Sequence, residues 1–361
     1  MKKVLVLISA VAASSLMAAN IELYGVAHVS GDSIDNGTNS TATIASNSSR
    51  FGVKASHDIG NGLTALGQFE MGVDLTGRGQ DDGNGGDFSS NAGFFTSARD
   101  SFVGLSGSFG TVVAGNLGAQ NQWIYDYNLF ADQIGDLGNL LGAGGVGPDR
   151  ASGTVGYISP TVSGFTGVLA YMAPSTNNGS NALTAGDASA VVAKLNYDMS
   201  NGFKAGVGYI GVNLDTTSAT LKDPSEVALS ASYTKEMFSV GGGYAMMKSP
   251  ALDNNDRTVW HVGASFNPME AVTLKAHYAA LNDDAVNADA KMFAVGVDYK
   301  LAKDVTTYIA YSSTSNEASA TYKANNWGHG QSAVGAPTAG LDPSAISIGL
   351  VYKFGGTIWK N

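Results

Sequence analysis

The chain has no cysteine, only 8 prolines in 361 residues, 14% charged side chains, and no apolar run after residue 19 long enough for a membrane helix. Each shortage excludes something. Without cysteine there are no disulfide staples and no thiolate metal sites. Lysine and arginine number 20 against 30 aspartates and glutamates, for a net charge of −10, which argues against nucleic acid as a partner. Proline has no N–H to give to a ladder and is excluded from strand interiors. Pro160 and Pro268 fall in short turns between alternating segments, and Pro148, Pro174, Pro224, Pro250, Pro337 and Pro343 fall in longer loops. What is plentiful is glycine (47), tyrosine (15) and phenylalanine (14).

Residues 1–19, MKKVLVLISAVAASSLMAA, read as an export signal: Lys2 and Lys3, an apolar stretch, then small residues around Ala18 and Ala19. The stretch is short for a membrane span. From residue 20 onward, apolar residues recur at i, i+2 and i+4 in segments of roughly ten residues, the strand period and not the helical one. Sixteen such segments are counted, the first near 21–30 and the last near 344–354. Their connections alternate between a few residues ("DIGNG", "SPTVSG", "NPME", "AKD") and long loops. An antiparallel meander with all short turns at one end is the pattern of an outer-membrane barrel.

The aromatics sharpen this. Tyr171, Tyr209 and Tyr244 follow Phe165, Phe203 and Phe238 by six residues, and Trp260 and Phe293 precede Phe266 and Tyr299 by six. Six residues rise about 20 Å along a strand, so rings on one face reach towards both edges of a hydrocarbon layer. The opposite parity carries polar or small residues such as Lys194, Asn196, Lys204, Ser230, His261, Lys275, His277 and Asp298, which require water. The sequence thus predicts an all-β fold, a 16-stranded antiparallel transmembrane β-barrel over residues 20–361, with short periplasmic turns, long external loops and a lumen wide enough for water. A secreted sandwich, solenoid or propeller also alternates, but has no reason to pair its aromatics at this spacing.

Other signals carry little. "GAGGVG" at 142–147 satisfies G-x-G-x-x-G but runs into Pro148 instead of opening a helix. "DDGNGGD" at 81–87 lacks calcium-loop spacing. His28, His57, His261, His277 and His329 are scattered, without metal-ligand spacing. No cofactor, no metal site and no enzyme activity are expected. The alternatives to a diffusion channel are an outer-membrane barrel enzyme and a surface adhesin with a plugged lumen.

The segments "IELYGVAHVSG", "SRFGVKASHDIGNGLTALGQFE", "RDSFVGLSGSFGTVVAGN" and "YISPTVSGFTGVLAY", with "ISIGLVYKF" near the end, resemble the general porin family of Gram-negative bacteria, particularly its trimeric Neisseria, Bordetella and Comamonas type. The resemblance implies a homotrimer in outer-membrane lipid passing small hydrophilic solutes and ions. It also implies a third long loop, residues 118–149, folded into the lumen as a constriction. Family members place arginines on the wall facing this loop, and Arg50, Arg99 and Arg150 stand at matching positions. Parity points Arg50 and Arg150 inward and leaves Arg99 open, with either a bulge or a contact with a neighbouring subunit expected near it. Lys54 joins this wall, with Asp126, Asp132 and Asp136 of the loop opposite, although each aspartate is equally readable as a turn cap. Glu70 is placed to pair with Lys54 or Arg50. Ser347, Gly349, Tyr352 and Phe354 are similar to the family's terminal assembly signal. Asn116 replaces an arginine that many relatives carry, which weakens any expected anion selectivity. Residues 355–361 extend beyond the family's usual end.

Overall fold

The fold was analysed in a computed structural model that describes residues 19–76, 95–118, 126–141, 146, 150–174, 188–214, 221–249, 256–325, 327–330 and 335–360. The expected export signal lies outside these residues, apart from Ala19. Eighteen ladder segments follow one another: β1 (Ala19–Asp35), β2 (Ser40–Ser46), β3 (Arg50–Gly60), β4 (Leu63–Val73), β5 (Phe95–Ala98), β6 (Ser101–Gly107), β7 (Gly110–Gly118), β8 (Arg150–Ile158), β9 (Phe165–Met172), β10 (Ala188–Asp198), β11 (Phe203–Leu214), β12 (Ser225–Lys235), β13 (Phe238–Lys248), β14 (Arg257–Met269), β15 (Val272–Asp283), β16 (Ala290–Ala302), β17 (Val305–Asn316) and β18 (Ser344–Trp359). Segments β2 and β3 both pair with β1, and β5 and β6 both pair with β4, so each couple is one interrupted strand. The result is the predicted 16-stranded antiparallel barrel. It is closed by β1 against β18, from Ile21↔Trp359 to Asp35↔Ser344.

The aromatic pairs take the outer face. Phe238 faces Phe266 across the β13–β14 ladder and Tyr244 faces Trp260 six residues higher. Phe165, Tyr171, Tyr209, Phe238, Tyr244, Trp260, Phe293 and Tyr299 are all exposed. Stacking of Phe165 on Tyr197 (4.4 Å) and of Phe238 on Phe266 (4.6 Å) joins neighbouring strands into belts.

Three expectations need correction, and one open point is settled. The first external connection is not long: β1 runs on to Asp35 and β2 begins at Ser40, leaving Asn36–Asn39, whose turn is held by the Asn36 Oδ1 accepting from the N–H groups of Thr38 (3.0 Å) and Asn39 (2.8 Å). Pro268 lies inside β14 and not in a turn, and the ladder slips at Phe266/Met269 to accommodate its missing donor. The extension after Phe354, whose role the sequence left open between masking the terminal signal and hanging in the periplasm, is part of the barrel: Gly355, Gly356, Thr357 and Trp359 continue β18 against Tyr24, Leu23, Glu22 and Ile21.

The last correction concerns the inner face, which is not polar or small throughout. In the external half, from β9 to β16, Met172, Val192, Ile210, Val212, Leu214, Met247, Val259, Leu281 and Met292 point inward and are buried. They pack against Leu137, Leu140 and Leu141 of the connection between β7 and β8, the last two inside a short helix, Gly138–Leu141. That side of the barrel is a dry core and not a wet wall.

Truncation after Phe354 removes the last register pairs of the closing seam, at roughly 1 kcal/mol per net hydrogen bond. The truncated protein is expected to lose its folded gel band at a temperature several degrees lower, with unchanged conductance. An unchanged melting temperature would mean that the added pairs carry no stability.

Candidate functional site

The connection between β7 and β8 turns into the barrel, and each anchor is a specific contact. Asp126 accepts from Lys194 Nζ (3.0 and 3.1 Å) on β10 and from Ser230 Oγ (3.2 Å) on β12. The Tyr127 hydroxyl donates to Ser239 Oγ on β13 (2.9 Å). The Phe130 ring lies under Lys275 Nζ (4.7 Å) and edge-on to His277, and Lys275 donates to Gln133 Oε1 (3.0 Å) while pairing with Asp298 (2.9 Å). These partners lie on β10–β16, and Phe130 and Ile134 share a buried cluster with Tyr308 and Ala310 of β17, Ala345 of β18 and Ile34 at the external end of β1, so the loop covers that arc and leaves the β3–β8 arc facing it.

A second connection, between β17 and β18, holds the loop from above. Asn139 Nδ2 donates to the Ala324 carbonyl (3.0 Å), and Asn139 Oδ1 accepts from the Trp327 N–H (2.9 Å). The Gly135 N–H donates to the same Ala324 carbonyl (3.1 Å), and a Cβ at Gly138 would collide with the Trp327 indole. His329 is buried between Asp32 (3.4 Å) and Ser30 (3.3 Å) of β1, and the Gly330 N–H donates to Asn47 Oδ1 (2.9 Å). Nothing in the sequence marked this clamp, because hydrogen bonds between two glycine-rich loops have no period.

Of the expected constriction residues, most gather on the free arc. Arg50 Nη1 reaches Asp132 Oδ2 of the loop at 3.5 Å, with both side chains partly exposed, and donates to the Ser48 carbonyl (3.0 Å). Lys54, two residues further along the same inward row as Gly52, is exposed and sits over the Tyr24 ring at 4.6 Å. Gly52 has no room for a Cβ because that ring covers it. Glu70 pairs with neither Lys54 nor Arg50: it accepts from Arg99 Nε (2.7 Å) and from the Tyr24 hydroxyl (2.9 Å). The break between β5 and β6 falls at Arg99–Asp100, where the bulge was expected, and turns both residues to partners. Arg99 is buried on Glu70, and Asp100 accepts from Arg150 Nε (2.8 Å). Asn116 donates to the Arg99 carbonyl (3.0 Å), a structural use of that position.

Two loop aspartates do not stand opposite the basic wall. Asp126 belongs to Lys194 on the far arc. Asp136 is buried and acts as the turn cap that the sequence allowed: it accepts from the N–H groups of Asp132 and Gly138 (both 2.8 Å) and from Asn128 Nδ2 (2.9 Å). It thereby holds Asp132, at φ 60°, in the conformation that points its carboxylate at Arg50. The free arc thus carries Arg50, Lys54, Arg99 and Arg150 against Glu70, Asp100 and Asp132. Arg99 and Arg150 are matched closely, Arg50 loosely, and Lys54 makes no ion pair among the described residues.

At the other end of the chain, Ser347 is buried and donates to Asp32 Oδ1 (2.6 Å), while Gly349 lies beneath the Tyr308 ring. Tyr352 and Phe354 face outward, with ring centroids 5.5 Å apart. The inward pair locks the seam and the outward pair contributes to the periplasmic belt.

A closed barrel with an aromatic-belted outer face, a polar periplasmic lumen and a loop pinned inside it defines a diffusion channel of the outer membrane. The chain belongs to the Gram-negative porin family, whose model matches residues 4–319. It is 28% identical to the major outer membrane protein P.IB of Neisseria lactamica over 303 residues, 77% of this chain and 78% of that protein. It is 26% identical to outer membrane porin protein 32 of Delftia acidovorans over 383 aligned positions, 98% of this chain and 100% of that protein. Among solved structures, the anion-selective porin from Comamonas acidovorans superposes with a TM-score of 0.76 at 22% identity, covering 93% of this chain and 100% of that one. The trimer form of OmpT, an outer membrane protein of Vibrio cholerae, gives 0.66 at 16% identity, over 93% and 100%. The protein is a general diffusion porin of the Gram-negative outer membrane.

Asp136 yields a prediction about the loop. Burial raises its carboxyl from the ordinary 3.8 to about 7, against the lowering effect of the Gly138, Asp132 and Asn128 donors. The docked loop retains a proton that the undocked chain releases, so this group's stabilisation is full in acid and is lost as pH rises through about 7. Single-channel records are expected to grow noisier between pH 6 and pH 8. Asp136→Ala, which leaves three donors without an acceptor at about 1–3 kcal/mol each, should be noisy at both. Noise that increases on acidification would contradict this assignment.

Proposed function

We propose that solute passes along the free arc beside the Arg50–Asp132 contact, where Arg50, Lys54 and Asp132 together line a constriction with a slight excess of positive charge. The observation that carries this reading is the Arg50–Asp132 approach across the lumen at 3.5 Å, made by two side chains that both remain partly exposed. Opposed charges in a narrow gap with low-dielectric walls orient water and polar solutes, and apolar solutes lose the ordered water they would have to displace. Arg99 with Glu70, and Arg150 with Asp100, act as a rigid backing for this gap. Their charges are largely spent on one another, so the expected anion preference is weak, in keeping with Asn116 at the position of an arginine in relatives.

Passage is passive, with no chemistry performed on the solute. The export signal is read over residues 1–19, which leaves the barrel to begin at Asn20. The assembled form is a homotrimer in outer-membrane lipid; the trimer form of the Vibrio cholerae neighbour supports this. Ser347, Gly349, Tyr352 and Phe354 form the assembly signal, presented by a strand that extends five residues beyond Phe354.

In a planar bilayer the protein should open in large ohmic steps grouped in threes. Replacing Arg50 and Lys54 together by alanine should move the chloride-to-potassium permeability ratio towards cations by about two- to fivefold, the change expected when two charges leave a screened aqueous gap. Arg99→Lys should change the ratio little. An unchanged ratio in the Arg50/Lys54 variant would remove both residues from the constriction.

A further inference from the structure

The periplasmic end of the outer wall carries an unassigned depression of about 550 Å³ across β12–β15. Ladder register explains it. The row nearest the short turns reads Lys235, Phe238, Phe266, Leu274; the next reads Tyr233, Val240, Ala264, Ala276; the third reads Ala231, Gly242, Val262, Tyr278. Small side chains at Ala264 and Ala276 form a floor, and the stacked Phe238–Phe266 pair, Tyr233, Val240 and Leu274 form the rims. The lining is almost wholly apolar, and Phe238 is 60% exposed.

We propose that this groove holds one glycerophospholipid of the periplasmic leaflet, with an acyl chain over Ala264 and Ala276 and the headgroup at Lys235 and Glu236. The inference rests on the outer-membrane placement of the barrel, which supplies the solvent on this face. A chain in a groove between aromatic rims contacts more surface than one on a smooth wall, and each contacting atom pair adds attraction. Charge complementarity selects the headgroup. Lys235 shares the outward row of Phe238 at the turn, where its ammonium meets a lipid phosphate at headgroup level. Glu236 follows it in the turn, exposed at φ 53°. Neither makes an ion pair among the described residues. A cation beside an anion matches a phosphate carrying an ammonium, which favours an ethanolamine headgroup over a glycerol one.

Native mass spectrometry of the full assembly, released from micelles containing equal phosphatidylethanolamine and phosphatidylglycerol, tests this. The wild-type protein should retain one phosphatidylethanolamine per protomer. Ala264→Leu with Ala276→Leu, which fills the floor, should lose it, while heat-modifiable gel mobility shows the barrel still folded. Lys235→Gln should weaken retention of both lipids about tenfold, the effect of losing one charge-assisted contact, and Glu236→Gln should abolish the preference between them. Lipid retention indifferent to the filled floor would overturn the site. So would separation of the filled variant into protomers, since the groove would then be a contact with a second copy of this chain. Loss of stepwise conductance with retained lipid would instead count against the channel reading, so the two failures are distinguishable.

Discussion

A backbone N–H in hydrocarbon has no water to fall back on, so every strand that crosses the membrane must find both of its neighbours within the protein. The closing ladder between β1 and β18 is where that requirement is hardest to meet, because the two segments are farthest apart in sequence. Ser347 on Asp32, and Gly349 beneath the Tyr308 ring, fix its register from the inside. Everything else follows from closure. A sealed cylinder has an outer face that must be apolar and an inner face released from that requirement, and the chain uses the inner face in two different ways.

Over the external half of β9–β16 the inner face carries a buried apolar cluster that receives Leu137, Leu140 and Leu141 of the in-folded loop. The loop is therefore held as a core element is held, by burial, with the Asn139 contacts to Ala324 and Trp327 and the Asp136 turn supplying direction. On the opposite arc the inner face is charged and partly open. Having a dry anchor on one side and a charged gap on the other lets a loop define a narrow passage without filling it. The tight Arg99–Glu70 and Arg150–Asp100 pairs fit the same logic, since a wall that must keep its shape beside moving ions gains from having its own charges matched.

The barrel was legible because its outer face obeys period two under a strong constraint. The external ends were not: residues 31–48, rich in Ser, Thr and Asn, extend the first two strands above the hydrocarbon, where no apolar alternation is demanded. The dry inner half was partly legible in "VGYIGVNL", apolar on both parities over much of its length, which signals burial on both faces. On the inner wall, parity pointed Arg50 and Arg150 inward, and both meet loop or wall carboxylates there. The fates of Arg99 and Glu70 depended on a strand break whose direction no spacing encodes. Asp126 and Asp136 could not be separated from Asp132 in sequence, since only the fold decides which carboxylate caps a turn and which faces the gap.

The central claim is that the lumen is divided into a wet arc and a dry one, and the absence of cysteine makes it directly measurable. Single-cysteine channels carrying Lys54→Cys or Ala228→Cys would be exposed to a charged, water-soluble methanethiosulfonate reagent while current is recorded. The account predicts prompt stepwise current loss for Lys54→Cys and none for Ala228→Cys, whose site is fully buried beneath the loop side of the barrel. Equal modification of the two, or modification of Ala228→Cys alone, would contradict it.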